Sequence, residues 1–274
     1  MSSLLTNESA MVALSTLRNI NKNLASVQQE VSTGKTVSSA RDNAAIWAVS
    51  TVMQSDVDGF QAISESLGLG SATVGVARSA AESITELLTE IKTLVVASQE
   101  ENVDRAKIQA DIDQLVGQID TISASSQFNG LNLLVGTATS SFLASLNRAA
   151  DGTVTASTID VDAIDLTTAT GLAAVAAIDV EADAAAALTS IETLIQVGID
   201  AAAAFGSAQK RFDIQQEFVT TLMDAMKVGI GALTDADMEE ASARLQSLQV
   251  QQQLGVQALA IANQQPQILL NLFR

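Results

Sequence analysis

The chain has 274 residues and a formal net charge of −17, with no cysteine, histidine or tyrosine, one tryptophan, and only 3% aromatic residues. Without Cys or His it offers no disulfide framework, no thiolate or imidazole chemistry and none of the common zinc sites. Its acidity argues against nucleic acid as a partner.

With so few rings, the core must be built from Ala, Val, Ile and Leu, which suits close helix–helix packing. The opening stretch "MSSLLTNESAMVALSTLRN" lacks a basic region followed by an unbroken apolar run, so it does not read as a cleavable signal peptide. Within it begins a stripe at threes and fours: Ala10, Ala13, Leu17, Ile20, Leu24, Val27 and Val31. That spacing predicts an amphipathic helix, with Gly34 as its stop.

From Ile46 a step of seven gives Met53, Phe60, Leu67, Val74, Ala81, Leu88 and Val95, all apolar. Three positions further on lie Val49, Asp56, Ile63, Gly70, Ala77, Ile84 and Ile91, with Asp56 and Gly70 as the two flaws. A heptad held this long predicts a helix whose seam follows a partner helix in a left-handed supercoil. After the polar break "SQEEN", Ile108, Ile112, Leu115, Ile119 and Ile122 predict a further helix, and Asn129-Gly130 in "FNG" predicts a turn.

Residues 137–182 turn to Thr, Ser, Ala and Asp, with alternation in "TVTASTIDVDAIDL" after Asp151-Gly152. This predicts a hairpin over roughly 141–161 and an exposed segment after it. From about 184 the heptad returns, with Leu188, Ile195, Ala202, Gln209, Gln216, Met223 and Ile230 in one position. The other position holds Ile191, Gly198, Phe205, Phe212, Val219, Met226 and Leu233. Such a helix is the natural antiparallel partner of the first long one. Thr234 and Asp237 in "LTDADMEE" are spaced as a helix-start box. The last helix is expected to answer the N-terminal one with Val250, Leu254, Ala258, Ile261 and Ile268.

Charge is unevenly placed. Residues 1–45 carry four basic and three acidic side chains, and residues 241–274 carry only Arg244 and Arg274, so the acidity falls on the middle. Between Leu245 and Phe273 there is no charged residue, yet Gln and Asn interrupt the stretch throughout, which argues against a membrane span. It ends in an apolar cluster of Ile268, Leu269, Leu270, Leu272 and Phe273 after the sole proline, Pro266.

Sites of chemistry are not evident. "TGKT" lacks the glycine five residues before Gly34, where Gln29 stands, and "GLGSATVG" follows no strand, so neither reads as a phosphate loop. The acidic group Asp235, Asp237, Glu239 and Glu240 reads as a helix start favoured by the macrodipole rather than a cation site. No metal, cofactor or catalytic residue is expected.

Four stretches in order resemble the flagellins, the subunits of the bacterial flagellar filament: "VSTGKTVSSARDNAA" (Val31–Ala45), "SQFNGLNLL" (Ser126–Leu134), "FGSAQKRF" (Phe205–Phe212) and "LAIANQQPQILLNLFR" (Leu259–Arg274). The resemblance covers roughly residues 1–135 and 184–274. It implies a mainly α fold: a long antiparallel helical coiled-coil or bundle rod with a small β-hairpin, the terminal helices pairing as a helical hairpin. Residues 1–42 and 236–274 would be filament-core helices, and residues 43–235 a rod-shaped domain that includes the hairpin and the exposed segment at about 137–182.

The implied function is structural: a subunit polymerising into the filament used for swimming. The partners would be other copies of itself, the flagellar export apparatus and an export chaperone, and the filament cap and hook-junction proteins. Nucleic acid and membrane are not expected as partners, and the place is extracellular. A hook–filament junction protein is the alternative within structural proteins, and a soluble coiled-coil adaptor the alternative of another class. Core contacts between copies are expected of Leu4, Leu17, Ile20, Leu24, Val27, Val31, Val250, Leu254, Ile261, Ile268, Leu269, Leu270, Leu272 and Phe273. Rod packing is expected of Ile46, Met53, Phe60, Leu67, Leu88, Phe205, Phe212 and Met223. Glu90 stands where the family pattern read by a vertebrate innate receptor has Arg. A carboxylate cannot mimic the guanidinium fork, so recognition there is expected to be weak.

Overall fold

The computed structural model describes residues 7–149, 151–167 and 181–272, with the side chains of 181–183 and 265–272 outside the description. Among the described residues the order is α1 (Glu8–Thr33), α2 (Ala44–Ala97), α3 (Arg105–Ser125), β1 (Gln127–Phe128), β2 (Leu131–Asn132), β3 (Thr139–Arg148), β4 (Val154–Asp162), α4 (Glu181–Thr234) and α5 (Met238–Leu272). The fold is mainly α with small antiparallel β ribbons. The chain gathers into two compact units, one of Met1–Asp56 with Ala225–Arg274 and one of Val57–Asp224.

In the second unit, the heptad on α2 is buried from Phe60 onward: Phe60, Ile63, Leu67, Val74, Ala77, Ala81, Ile84, Leu88, Ile91 and Val95 are all covered. At 54 residues α2 runs about 80 Å. Its partner is α4, antiparallel, as the cross-pairs show. Gly70 lies against Phe212, Ser71 Oγ donates to Asp213 Oδ1 (3.3 Å), Arg78 Nε donates to Gln209 Oε1 (3.0 Å), and Lys92 pairs with Glu192. From Gly70 to Lys92 the partners run back from Phe212 to Glu192. The flaw at Gly70 is a close approach: a Cβ there would stand 2.8 Å from Phe212 Cε1. Only glycine lets the ring in.

On α4 one predicted stripe is covered, with Ile191, Phe205, Phe212 and Val219 buried. The companion stripe is corrected. Of its members Met223 is buried, but Leu188, Ile195, Ala202, Gln209, Gln216 and Ile230 are only half-buried, whereas Ala187, Leu194, Ala201 and Ala208, one residue before the first four, are buried. The pattern favoured the larger side chains, but three of these four buried positions are alanine, and larger residues flank them. By length and composition, Ala184–Thr234 is apolar enough to cross a membrane. Here part of it packs inward, through Ile191, Phe205, Phe212 and Val219, while Ile199, Ile214, Phe218 and Val228 are exposed.

α3 starts at Asp104, whose carboxylate accepts from the Lys107 amide, and buries Ile112 and Ile119. β1 and β2 close through Asn129 and Gly130 at φ of 50° and 83°, the two positive values that a tight two-residue hairpin turn demands. β3 and β4 pair from Thr139↔Asp162 to Arg148↔Val154, with the turn around Asp151-Gly152. A register shift between Leu143 and Ser145 is answered by α4, where Gln215 Nε2 donates to the Ala144 carbonyl (3.0 Å). Phe142 meets Phe212 edge-on with ring centroids 5.3 Å apart. Hairpin and helix are thereby tied by one aromatic pair and one amide. Most of the segment expected to be exposed after the hairpin, 168–180, lies outside the described residues.

The α4–α5 junction also corrects the helix-start box. Thr234 belongs to the last turn of α4, its hydroxyl donating to the Ile230 carbonyl (2.9 Å). Asp237 alone caps α5, accepting from the amides of Glu239 (3.0 Å) and Glu240 (3.2 Å). Only Asp235, Ala236 and Asp237 separate the helices, so Thr234 comes too early in the chain to cap the second of them.

Candidate assembly surface

The first unit pairs α1 with α5. Asn7 caps α1, its Oδ1 accepting from the Ala10 amide (3.0 Å), and Gly34 ends it in the left-handed conformation at φ 68°. Beyond Gly34 the two strands of chain that leave the pair are stitched together. The Thr36 amide donates to the Thr234 carbonyl (2.8 Å), and the Ala236 amide donates to the Gly34 carbonyl (2.9 Å). Next, Asp42 Oδ2 gathers the hydroxyls and amides of Ser38 and Ser39 at 2.9–3.1 Å. The Ser39 and then the Ser38 hydroxyl bonds hold the Asp42 carboxyl below the usual aspartate range. Asn43 Oδ1 then starts α2 by accepting from the amides of Ala45 and Ile46.

The stripe on α1 read from spacing faces α5 of the same chain, so Leu24 and Val27, expected at contacts between copies, are instead buried within the subunit, with Leu17, Ile20 and Val31 half-buried. The stripe on α5 that faces α1 is not the one expected. It is Ala241, Leu245, Leu248, Gln252, Gly255, Leu259 and Ala262, each buried or half-buried, at threes and fours. A Cβ on Gly255 would come within 3.0 Å of Leu17 Cδ1, so glycine sets the closeness of the pair there. Gln252 Nε2 donates to Asn21 Oδ1 (2.7 Å), and Asn7 Nδ2 donates to the Ala262 carbonyl (2.8 Å). Spacing could have found this stripe, by stepping seven from Ala241 to Leu248, Gly255 and Ala262. Its Ala, Gly and Gln gave too little apolar signal to compete with its neighbour.

Val250, Leu254 and Ile261 point outward instead, 55%, 58% and 66% exposed. They lie on one side of α5 at spacings of four and seven, on a helix without a charge from Leu245 to Leu272. Met11 and Val12 are likewise exposed on α1. Of the remaining expected contact residues, Leu4 and Phe273 lie outside the described residues, as do the side chains of Ile268, Leu269, Leu270 and Leu272. Ile46 and Met53 are half-buried in this unit, with Met53 Cε within 3.3 Å of where a Cβ on Gly229 would be. Phe60, Leu67, Leu88, Phe205, Phe212 and Met223 are buried in the other. Trp47, Val49 and Val52, near the start of α2, stand exposed.

The outward stripe of α5 is aliphatic. Among the described residues no three acidic side chains gather to hold a metal ion. What it offers is apolar area without charge. An apolar stripe left over after a helix's own pairing is a candidate surface for a further partner.

The model of the bacterial flagellin N-terminal helical region matches residues 4–139, and that of the bacterial flagellin C-terminal helical region matches residues 188–273. The chain is 38% identical to flagellin C of Rhizobium meliloti (strain 1021) and 40% identical to the flagellin of Brucella melitensis biotype 1, over the whole of both chains in each case. It is 37% identical to flagellin FljO of Caulobacter vibrioides, over all of this chain and 99% of that one. A crystal structure of Bacillus cereus flagellin aligns with 59% of this chain and 88% of that one at 24% identity, with a TM-score of 0.44, too loose a likeness to argue from. By its full-length relatives and by both terminal matches, this chain belongs to the flagellin family.

Proposed function

We propose that this flagellin is a structural subunit that polymerises into the extracellular flagellar filament by laying its leftover helix faces against other copies. The observation that carries the mechanism is the outward stripe of Val250, Leu254 and Ile261, more than half exposed on a charge-free helix whose opposite stripe is already taken by α1. Burying a Leu-sized side chain contributes roughly 1.5–3 kcal/mol. A few per subunit, repeated along a polymer, make a substantial drive. Neutrality fits the same picture. In a helical polymer a charge near the axis meets its own symmetry copies, and like charges in partly buried surroundings repel strongly. Glutamine can pair amide to amide there instead. The acidic middle of the chain is placed to keep the polymer soluble.

The test is truncation. Removing residues 267–274 takes away Ile268, Leu269, Leu270, Leu272 and Phe273. Seeded elongation should cease while circular dichroism keeps the helical signal, since α2 and α4 are untouched. Filaments from the truncated protein would count heavily against the mechanism. Seeding also separates the adaptor alternative, which predicts a stable dimer and no elongation.

On the same reading the subunit is not an enzyme and leaves the cell through the flagellum's export apparatus with an export chaperone, meeting the cap and hook-junction proteins on the way. Glu90 is exposed on α2. A reporter-cell assay for the vertebrate flagellin receptor is expected to show little response at doses where an Arg-bearing flagellin responds fully. A full response would refute the role given to Glu90.

A further inference from the structure

The chain has one proline, and Pro266 sits inside α5 rather than at its start. Proline has no N–H, so the carbonyl four residues earlier loses its partner in the helical ladder. That carbonyl belongs to Ala262. It is the one helix-interior acceptor in the chain that the sequence itself deprives of an i+4 donor. Ala262 is buried in the stripe facing α1, and its carbonyl receives Asn7 Nδ2 at 2.8 Å across 255 residues of chain. The other end of the same amide, Asn7 Oδ1, caps α1. One side chain therefore begins one helix and fills the gap in the other.

We infer that Asn7 is a positioning residue that reads the proline gap and fixes the register of α1 on α5. Other backbone carbonyls in the interior of α5 already have a ladder donor and gain less from a second bond, so only one setting of the pair gives Ala262 its first donor. A slip of α1 by a heptad would keep apolar residues opposite apolar ones and leave this acceptor buried and unpaired. An acceptor left so is costly enough to lower the populated fraction about tenfold. Gln252 and Asn21 make a second polar contact between the helices, at the exposed edge of the seam. The outward stripe of Val250, Leu254 and Ile261 is then presented at one angle in every subunit, a consequence that rests on the filament reading above.

The experiment separates the cap from the lock. Asn7→Asp keeps an oxygen for the Ala10 amide but has no N–H to give Ala262. Pro266→Ala restores the donor that Ala262 lacks and makes Asn7 redundant. Since the chain has no native cysteine, Ala13→Cys with Leu259→Cys, one turn beyond the Leu17–Gly255 contact, installs the only thiols. The equilibrium between their intramolecular disulfide and glutathione reports the pairing in the unpolymerised subunit. Asn7→Asp is expected to lower the effective thiol concentration about tenfold with Pro266 present and less than about twofold in the Pro266→Ala background. The critical concentration for seeded elongation should rise in parallel, again only with Pro266. Equal effects of Asn7→Asp in both backgrounds, or none in either, overturn the inference. If the disulfide measurements couple as stated but the unaltered chain fails to elongate seeds, the lock stands and the filament mechanism falls.

Discussion

Leu254→Asp or Ile261→Asp, each alone, is expected to stop seeded elongation while leaving the isolated subunit intact. Both side chains are more than half exposed, 58% and 66%, so in the free protein the substitution trades an apolar surface residue for a solvated one. Changes of that kind usually stay within about 0.5 kcal/mol. Once another copy covers the stripe, the carboxylate must be taken out of water with no cation in α5 between Leu245 and Leu272 to meet it. Removing an unpaired ion from water costs several kcal/mol, so elongation should fall by more than about a thousandfold. Light scattering after seeding reads the loss, and an unchanged urea midpoint of the subunit confirms that the fold is spared. Filaments from either variant at ordinary concentrations would move the interface away from this stripe. Leu254→Gln is the control. A neutral amide already abundant on that face should weaken elongation far less than aspartate does.

Phe212→Ala should be the most damaging single change to the folded subunit. The ring is fully buried, closes over Gly70 and meets Phe142 edge-on. Truncating a buried phenylalanine costs about 3–5 kcal/mol, part of it the edge-to-face pair. Phe218, on the same helix, is 57% exposed, and Phe218→Ala should change the stability of the subunit by no more than about 0.5 kcal/mol. Urea unfolding of the two variants side by side decides it, with the slope unchanged and only the Phe212→Ala midpoint displaced. Similar losses in both would mean that Phe218 is covered in the subunit and that the packing of α4 has been misplaced.

The two faces of these helices were unequally legible in the sequence. On α2 every heptad position from Phe60 to Val95 is buried, most of them filled by large aliphatic residues, and stepping by seven misses only Thr73 and Ala80, which are covered beside the seam. The stripe predicted on α1 is likewise buried or half-buried from Leu17 to Val31. On α4 and α5 the apolar signal misled by a position or a face. Ala187, Ala201 and Ala208 hold the α4 seam, and Gln252 and Gly255 stand in that of α5. Hydrophobicity measures how much a side chain gains from leaving water; it does not say whether two backbones are close enough to need a small one. On α5 the more apolar stripe is the outward one, which is legible only if a surface can be completed by another molecule. The pairing of Asn7 with Ala262 is not a pattern at all. It needs the carbonyl freed by Pro266 and the geometry that brings distant ends of the chain together.

Trp47 is the chain's sole indole, it stands half out of α2, and no tyrosine competes with it. Ultraviolet emission excited at the indole band therefore originates at one known point of the molecule. A shift of that band on association would report, without any label, whether the solvent around the beginning of α2 is displaced.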